Sequence, residues 1–219
     1  HLNEYLLHIE LGTFYRPKAV YIWSGWCETL SSREYRNGFY EIVKHALIGD
    51  QKLWNKLQAS PPFFINEFIL SRSILVKKFF VEKDPFDFGI RHGLNFGHSI
   101  GHALESFLLD SNIGTLHGEC VWFGMCVELK YFNDSGIFPS SQYDEVNDYL
   151  MAIRPKIDHP LPQFDELFSF LRADKKLNLG KLQIPVLASV GNVIEVKHLD
   201  IEDLRQPYES VVKYVDALT

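Results

Sequence analysis

Nine histidines occur in the 219 residues, and three of them crowd one window: His98, His102 and His117. They stand in R-H-G-L-N-F-G-H-S-I-G-H-A-L-E at residues 91–105, followed after a short insert by L-H-G-E at 116–119. Residues four apart on a helix share a face, so His98 and His102 can address one target. Imidazoles gathered in this way suit a metal ion or proton transfer. Gly97 and Gly101 repeat the same spacing. A glycine inside a helix costs roughly 1 kcal/mol relative to alanine, so the pair implies the close approach of a backbone, a ligand or a metal. The bland alternative is a surface pair, or two core histidines with ordinary hydrogen-bond partners.

A metal held by imidazoles also needs an anion or a further nitrogen, and His117 offers the nitrogen. The candidate anion is Glu41, in S-S-R-E-Y-R-N-G-F-Y-E-I-V-K-H-A-L-I-G-D. Ser31 followed by Glu34 is a capping-box signature that starts a helix. Phe39, Ile42, Val43, Ala46 and Leu47 then form an apolar stripe at helical spacing. Glu41 and Lys44 flank that stripe as i,i+3 neighbours, and the plain reading of the pair alone is a surface ion pair.

The elements that must position these groups are mostly helices, expected near 31–48, 51–58, 63–81, 94–109, 118–135, 141–152, 164–172 and 201–217. Pro61-Pro62 and the D-P-F-D-F-G segment at 84–89 are breaks. A short β segment is expected near 18–23, after Pro17. The runs I-P-V-L-A-S-V and V-I-E-V, joined by Gly191-Asn192, predict a small β-hairpin near 182–197. The fold class expected is therefore mainly α, a multi-helix domain with these two β features.

Composition excludes several functions. Hydrophobic residues make up 46% and charged residues 23%, enough for an ordinary core. The net charge is −6 without a basic run, which argues against nucleic acid as a partner. No apolar run reaches the roughly 18 residues of a membrane span. Cys27, Cys120 and Cys126 lack zinc-ribbon spacing, and their odd number suggests reduced thiols in a cytoplasmic protein. No glycine-rich phosphate loop follows a strand.

Together, these stretches resemble the metal-binding half of the 3-dehydroquinate synthases, a family of sugar-phosphate cyclases. The family patterns G-x-x-E-x-x-K, R-x-x-x-N-x-G-H-[ST]-x-G-H-A-x-E and L-H-G-E fall at residues 38–44, 91–105 and 116–119. A fourth pattern, D-K-K with a following glycine, matches Asp174, Lys175, Lys176 and Gly180, and L-G-T-F-Y-R-P-K-A-V at 11–20 resembles another family segment. The resemblance implies that 1–219 is a single C-terminal metal-binding catalytic domain. Residues 1–30 would then link it to an absent N-terminal α/β domain that binds NAD, and the chain alone would be inactive.

The resemblance also implies roles. Glu41, His98 and His117 would hold zinc, or cobalt in its place. Lys44, Lys77, Arg91, Asn95, His102, His117 and the Lys175–Lys176 pair would bind a phosphorylated sugar acid, 3-deoxy-D-arabino-heptulosonate 7-phosphate. His102, Asp87 and Lys44 would be catalytic, with His102 handling a proton rather than the metal. Thr29, in W-C-E-T-L, matches a segment near the adenine side of NAD, so Trp26, Cys27, Glu28 and Thr29 would touch the cofactor, although the first three are atypical of the family. NAD would take a hydride and return it, phosphate would be eliminated, and an intramolecular aldol step would close the 3-dehydroquinate ring. A homodimer is implied for the full-length enzyme. The chain departs from the family at several positions. Asp87 stands for a glutamate, His8-Ile9 for Lys-Asn, and Trp122 for a residue that is usually small, where the bulky ring requires local repacking. These departures keep two alternatives in view: a cyclase for another sugar phosphate, or a non-catalytic metal-binding paralogue. Iron-dependent alcohol dehydrogenases share H-x-x-x-H but would want an aspartate ligand and would not explain Lys44, Asn95 or D-K-K.

Overall fold

The computed structural model describes residues 17–173, 177–178 and 181–217. The first helix, α1 (Ser32–Gly49), opens on the capping box. Ser31 Oγ accepts from the Glu34 amide, and Glu34 accepts from the Ser31 amide at 3.0 Å. The apolar stripe of α1 is buried along its length. At its end Asp50 caps α2 (Gln51–Gln58) by accepting from the Leu53 amide. Asp50 also pairs at 2.6 Å with Arg72 of α3 (Glu67–Lys83), so one carboxylate joins three helices.

The centre of the domain is the pair α4 (His98–Asp110) and α5 (His117–Asp134). Here the glycines act as the sequence suggests, and what comes close is backbone. A Cβ on Gly124 would lie 1.9 Å from the Gly97 carbonyl oxygen, and one on Gly101 3.0 Å from the Cys120 carbonyl oxygen. Gly97 caps α4 with φ +75°, a left-handed conformation that glycine adopts without strain. Trp122 is fully buried, and its indole N–H donates to the Leu150 carbonyl of α6 (Ser140–Ala152) at 2.8 Å. That bulky ring is thus accommodated against α6.

Helices α7 (Phe164–Ala173) and α8 (Arg205–Asp216) complete the helical part. Strands β1 (Leu177–Asn178), β2 (Lys181–Ser189) and β3 (Asn192–Leu199) form one antiparallel sheet in that order. The turn at Gly191 has φ +77°, and its amide donates to the Leu47 carbonyl of α1 at 2.7 Å. This bond pins the hairpin to the helix that carries Glu41. The predicted hairpin is present, and β1 adds a strand that the pattern does not announce.

Other boundaries differ. Residues 18–23 form no strand, contrary to expectation. Val20 and Tyr21 are 70% and 84% exposed, and a lone extended segment without a paired neighbour has no ladder to join. A 3-10 turn, Ser24–Thr29, follows instead. Helix α3 starts later than expected because Asn66 caps it, accepting from the Ile69 amide. Likewise α4 starts at His98, with a 3-10 turn, Ile90–Asn95, before it. Among the described residues, the three cysteines form no disulfide.

Candidate metal centre

His98 opens α4, His102 follows one turn on, and His117 opens α5. Their ring centroids lie 5.1–5.4 Å apart. One nitrogen from each falls within 4.8 Å of the others. His98 Nδ1 meets the Phe96 carbonyl at 3.2 Å, which assigns the proton to Nδ1 and leaves the Nε2 lone pair for the cluster. His117 Nδ1 meets Glu105 Oε2 at 3.0 Å. A carboxylate on the far nitrogen fixes the tautomer and raises the basicity of the near one, as around metal-bound histidines. Glu105 is a site residue that the sequence motifs alone do not assign a role. Its signal was there, three residues after His102 and on the same helix face.

Glu41 reaches the cluster from α1, with Oε1 3.6 Å from His98 Nε2. Its other oxygen pairs with Lys44 Nζ at 2.8 Å, and the Lys44 side chain is only 3% exposed. The pair is therefore no surface ion pair. Burial alone would raise the Glu41 pKa, but Lys44 and then His98 outweigh it and hold the carboxyl at about 2. Burial, followed by the Lys44 charge, pushes His98 down to about 2. Near neutrality the site therefore presents an ionised carboxylate beside a neutral imidazole, the states a divalent ion requires.

The residues fit such an ion. Glu41 Oε1 is buried and accepts no hydrogen bond among the described residues. Ligands at 2.0–2.2 Å from a tetrahedral ion stand roughly 3.4 Å from each other, close to the 3.6 Å between Glu41 Oε1 and His98 Nε2. Among the described residues His98, His102 and His117 form one donor set, and Glu41 approaches it at His98.

Among the described residues, the other predicted site residues make the following contacts. Asp87 has φ +62°, and its buried Oδ1 stands 3.6 Å from His92 Nδ1. With His92 and Asn95 it lines a cavity of about 140 Å³ against the hairpin, at Gln183, Pro185 and Val196. Arg91 is bound into its own loop, its guanidinium donating to the Pro85 carbonyl at 3.0 Å. Lys77 is exposed on α3, and its charge is felt at His45, the buried neighbour of Lys44. Trp26, Glu28 and Thr29 are exposed on the 3-10 turn, with Cys27 half-buried. Lys175 and Lys176 lie outside the described residues, as do His8 and Ile9.

Known proteins resemble this chain in sequence and in fold. The model of the 3-dehydroquinate synthase C-terminal family matches residues 38–177. The 3-dehydroquinate synthase of Dictyoglomus thermophilum is 32% identical over 200 residues, 89% of this chain and 56% of that protein. That of Pyrobaculum islandicum is 33% identical over 214 residues, 94% of this chain and 60% of that protein. The chain thus spans little more than half the length of these relatives. Among solved structures, the 2-epi-5-epi-valiolone synthase ValA of Streptomyces hygroscopicus, with NAD+ and Zn2+ bound, superposes with a TM-score of 0.73 at 22% identity. That match covers 87% of this chain and 54% of ValA. A 2-deoxy-scyllo-inosose synthase with carbaglucose-6-phosphate, NAD+ and Co2+ gives 0.67 at 21% identity, covering 81% of this chain and 51% of that one. Fold, motif order and sequence identity agree: the chain belongs to the 3-dehydroquinate synthase C-terminal family.

Proposed function

We propose that this chain is the metal-binding half of a 3-dehydroquinate synthase. Such an enzyme is a carbon–oxygen lyase that converts 3-deoxy-D-arabino-heptulosonate 7-phosphate to 3-dehydroquinate and phosphate. One observation carries the reading: the Oε1 atom of the half-buried Glu41 accepts no hydrogen bond among the described residues and stands 3.6 Å from His98 Nε2. Glu41, His98 and His117 hold a divalent ion, zinc or cobalt, the ions found in the two solved neighbours. Glu41 is preferred to His102 as the third ligand because an ionised carboxylate offsets the charge of the ion. A bound ion supplies Lewis acidity to a substrate oxygen.

The rest is done by side chains. Lys44, already desolvated, offers a full charge to an anionic group of the substrate. His102 stays outside the coordination sphere and moves a proton at its ring nitrogen. Lys77, Arg91 and the Lys175–Lys176 pair supply further cations for phosphate and carboxylate, and Arg91 must leave Pro85 to do so. Asp87 and Asn95 act from the neighbouring cavity on a proton and a hydroxyl. The described sheet is antiparallel and lacks the parallel-strand crevice in which dinucleotides settle. NAD, held by both neighbours, is therefore assigned to a part of the enzyme outside these residues, with the exposed 26–29 turn at most touching it. The reading carries with it a homodimeric cytoplasmic enzyme of aromatic amino acid synthesis. No described helix is long and apolar enough to cross a membrane.

A cyclase for another sugar phosphate is the second reading, favoured by Asp87, whose short side chain springs from a left-handed backbone. The test is turnover by the full-length protein with NAD, zinc and 3-deoxy-D-arabino-heptulosonate 7-phosphate. Phosphate and 3-dehydroquinate should appear together, and Glu41→Ala should abolish both. Turnover of a different sugar phosphate alone would favour the second reading. Metal binding without any turnover would favour a non-catalytic paralogue.

A further inference from the structure

The first residue of α5 is a predicted ligand, yet the side chain at its N-cap caps nothing. Its N-cap, Leu116, has no side-chain acceptor to offer. The acceptor comes from α1 instead, where Asn37 Oδ1 accepts from the Gly118 amide at 2.5 Å. One turn earlier on α1, Arg33 grips Glu119 with both arms, Nε to Oε1 and Nη2 to Oε2, each at 2.7 Å. Arg33 Nη2 also donates to the Gly114 carbonyl at 3.1 Å, and Glu119 Oε2 accepts from the Leu116 amide at 3.1 Å. The contact is close, since a Cβ on Gly118 would lie 2.2 Å from the Asn37 carbonyl oxygen.

Arg33, Asn37 and Glu41 stand four residues apart in turn and so share one face of α1. Two of them bind the first turn of α5, and the third is the proposed carboxylate ligand. We propose that Arg33 and Asn37 are positioning residues of the metal centre, clamping the start of α5 so that His117 faces the carboxylate borne by the same helix. This rests on the reading above that Glu41, His98 and His117 hold a divalent ion. The clamp is separable from the fold, because α5 is buried along almost its whole length by other contacts.

The test is metal affinity of the 219-residue chain, by competition of Zn2+ with a chromogenic chelator and by the visible spectrum of the Co2+ form. Unfolding of the metal-free protein in urea is measured alongside. Asn37→Ala should weaken affinity by about 10- to 100-fold, the usual effect of losing an outer-shell partner, and should change the Co2+ spectrum. Asn37→Asp, which keeps the acceptor, should restore both. Arg33→Met, which keeps the apolar stem and removes the fork, should act like Asn37→Ala and carries the test should that variant not fold. Unchanged affinity and spectrum in the folded variants, with only metal-free stability reduced, would overturn the proposal by showing a purely structural clamp. Absence of metal binding in the unaltered chain would overturn it too, and there the reading of the centre itself would be what failed.

Discussion

Lys44 carries a positive charge to a place that water scarcely reaches, and its neighbours titrate accordingly. Beside it His45 is equally enclosed, its Nδ1 meeting Ser73 Oγ of α3 at 2.7 Å. Burial first, and the Lys44 charge second, push His45 from 6.5 down to about 3. The unfolded chain therefore takes up a proton below pH about 6.5 that the folded chain refuses until pH about 3. Stability should fall as pH drops through that window, by about 2 kcal/mol from this residue at about pH 5. Urea unfolding at about pH 7.5 and about pH 5 should show a smaller acid loss in His45→Gln than in the parent. An equal loss in both would mean that His45 is not held neutral. The spacing of Glu41 and Lys44 was legible in the sequence, but their burial was not. Periodicity places them on the flank of a stripe, and only the packing of other elements around α1, the start of α4 at His98 among them, encloses that flank.

At the scale of elements, glycine and asparagine set where helices start and how closely they cross. Gly124→Ala would drive a methyl into the Gly97 carbonyl at 1.9 Å, and both partners are backbone. The helices must then part, at a cost of about 3 kcal/mol in urea unfolding, the upper range for overpacking. Gly38→Ala is the control. Its added Cβ meets nothing within 4 Å, so ordinary helix propensity should stabilise it by about 1 kcal/mol. Equal effects at both positions would contradict the crossing described here. Capping chemistry made α1 readable, and Gly191-Asn192 made the hairpin readable. The segment at 18–23 misled because β-forming residues specify a strand only where a neighbour offers its edge. The trans-cap from Asn37 had no sequence signal, since it joins residues 81 positions apart.

At the scale of the whole molecule, ion binding and folding share one free energy. Zinc at about 100 times its dissociation constant should add about 2.7 kcal/mol of stability. A thermal scan should then show a rise in Tm that a chelator reverses and that Glu41→Ala never displays. The same rise in Glu41→Ala would move the ligand role to the three histidines alone. Much of the exposed apolar surface lies ahead of α1, at Val20, Tyr21, Ile22, Trp23 and Trp26, in a chain covering little more than half of its relatives' length. The interlocked glycines of α4 and α5 bear on how such an ion would come and go. The two helices meet backbone against backbone, so their register is fixed before any ligand atom is engaged. Loading the centre then demands no sliding of one helix past the other, only the shedding of hydration water and small turns of imidazole rings. Ion exchange would follow the clock of ligand substitution at the metal rather than that of refolding.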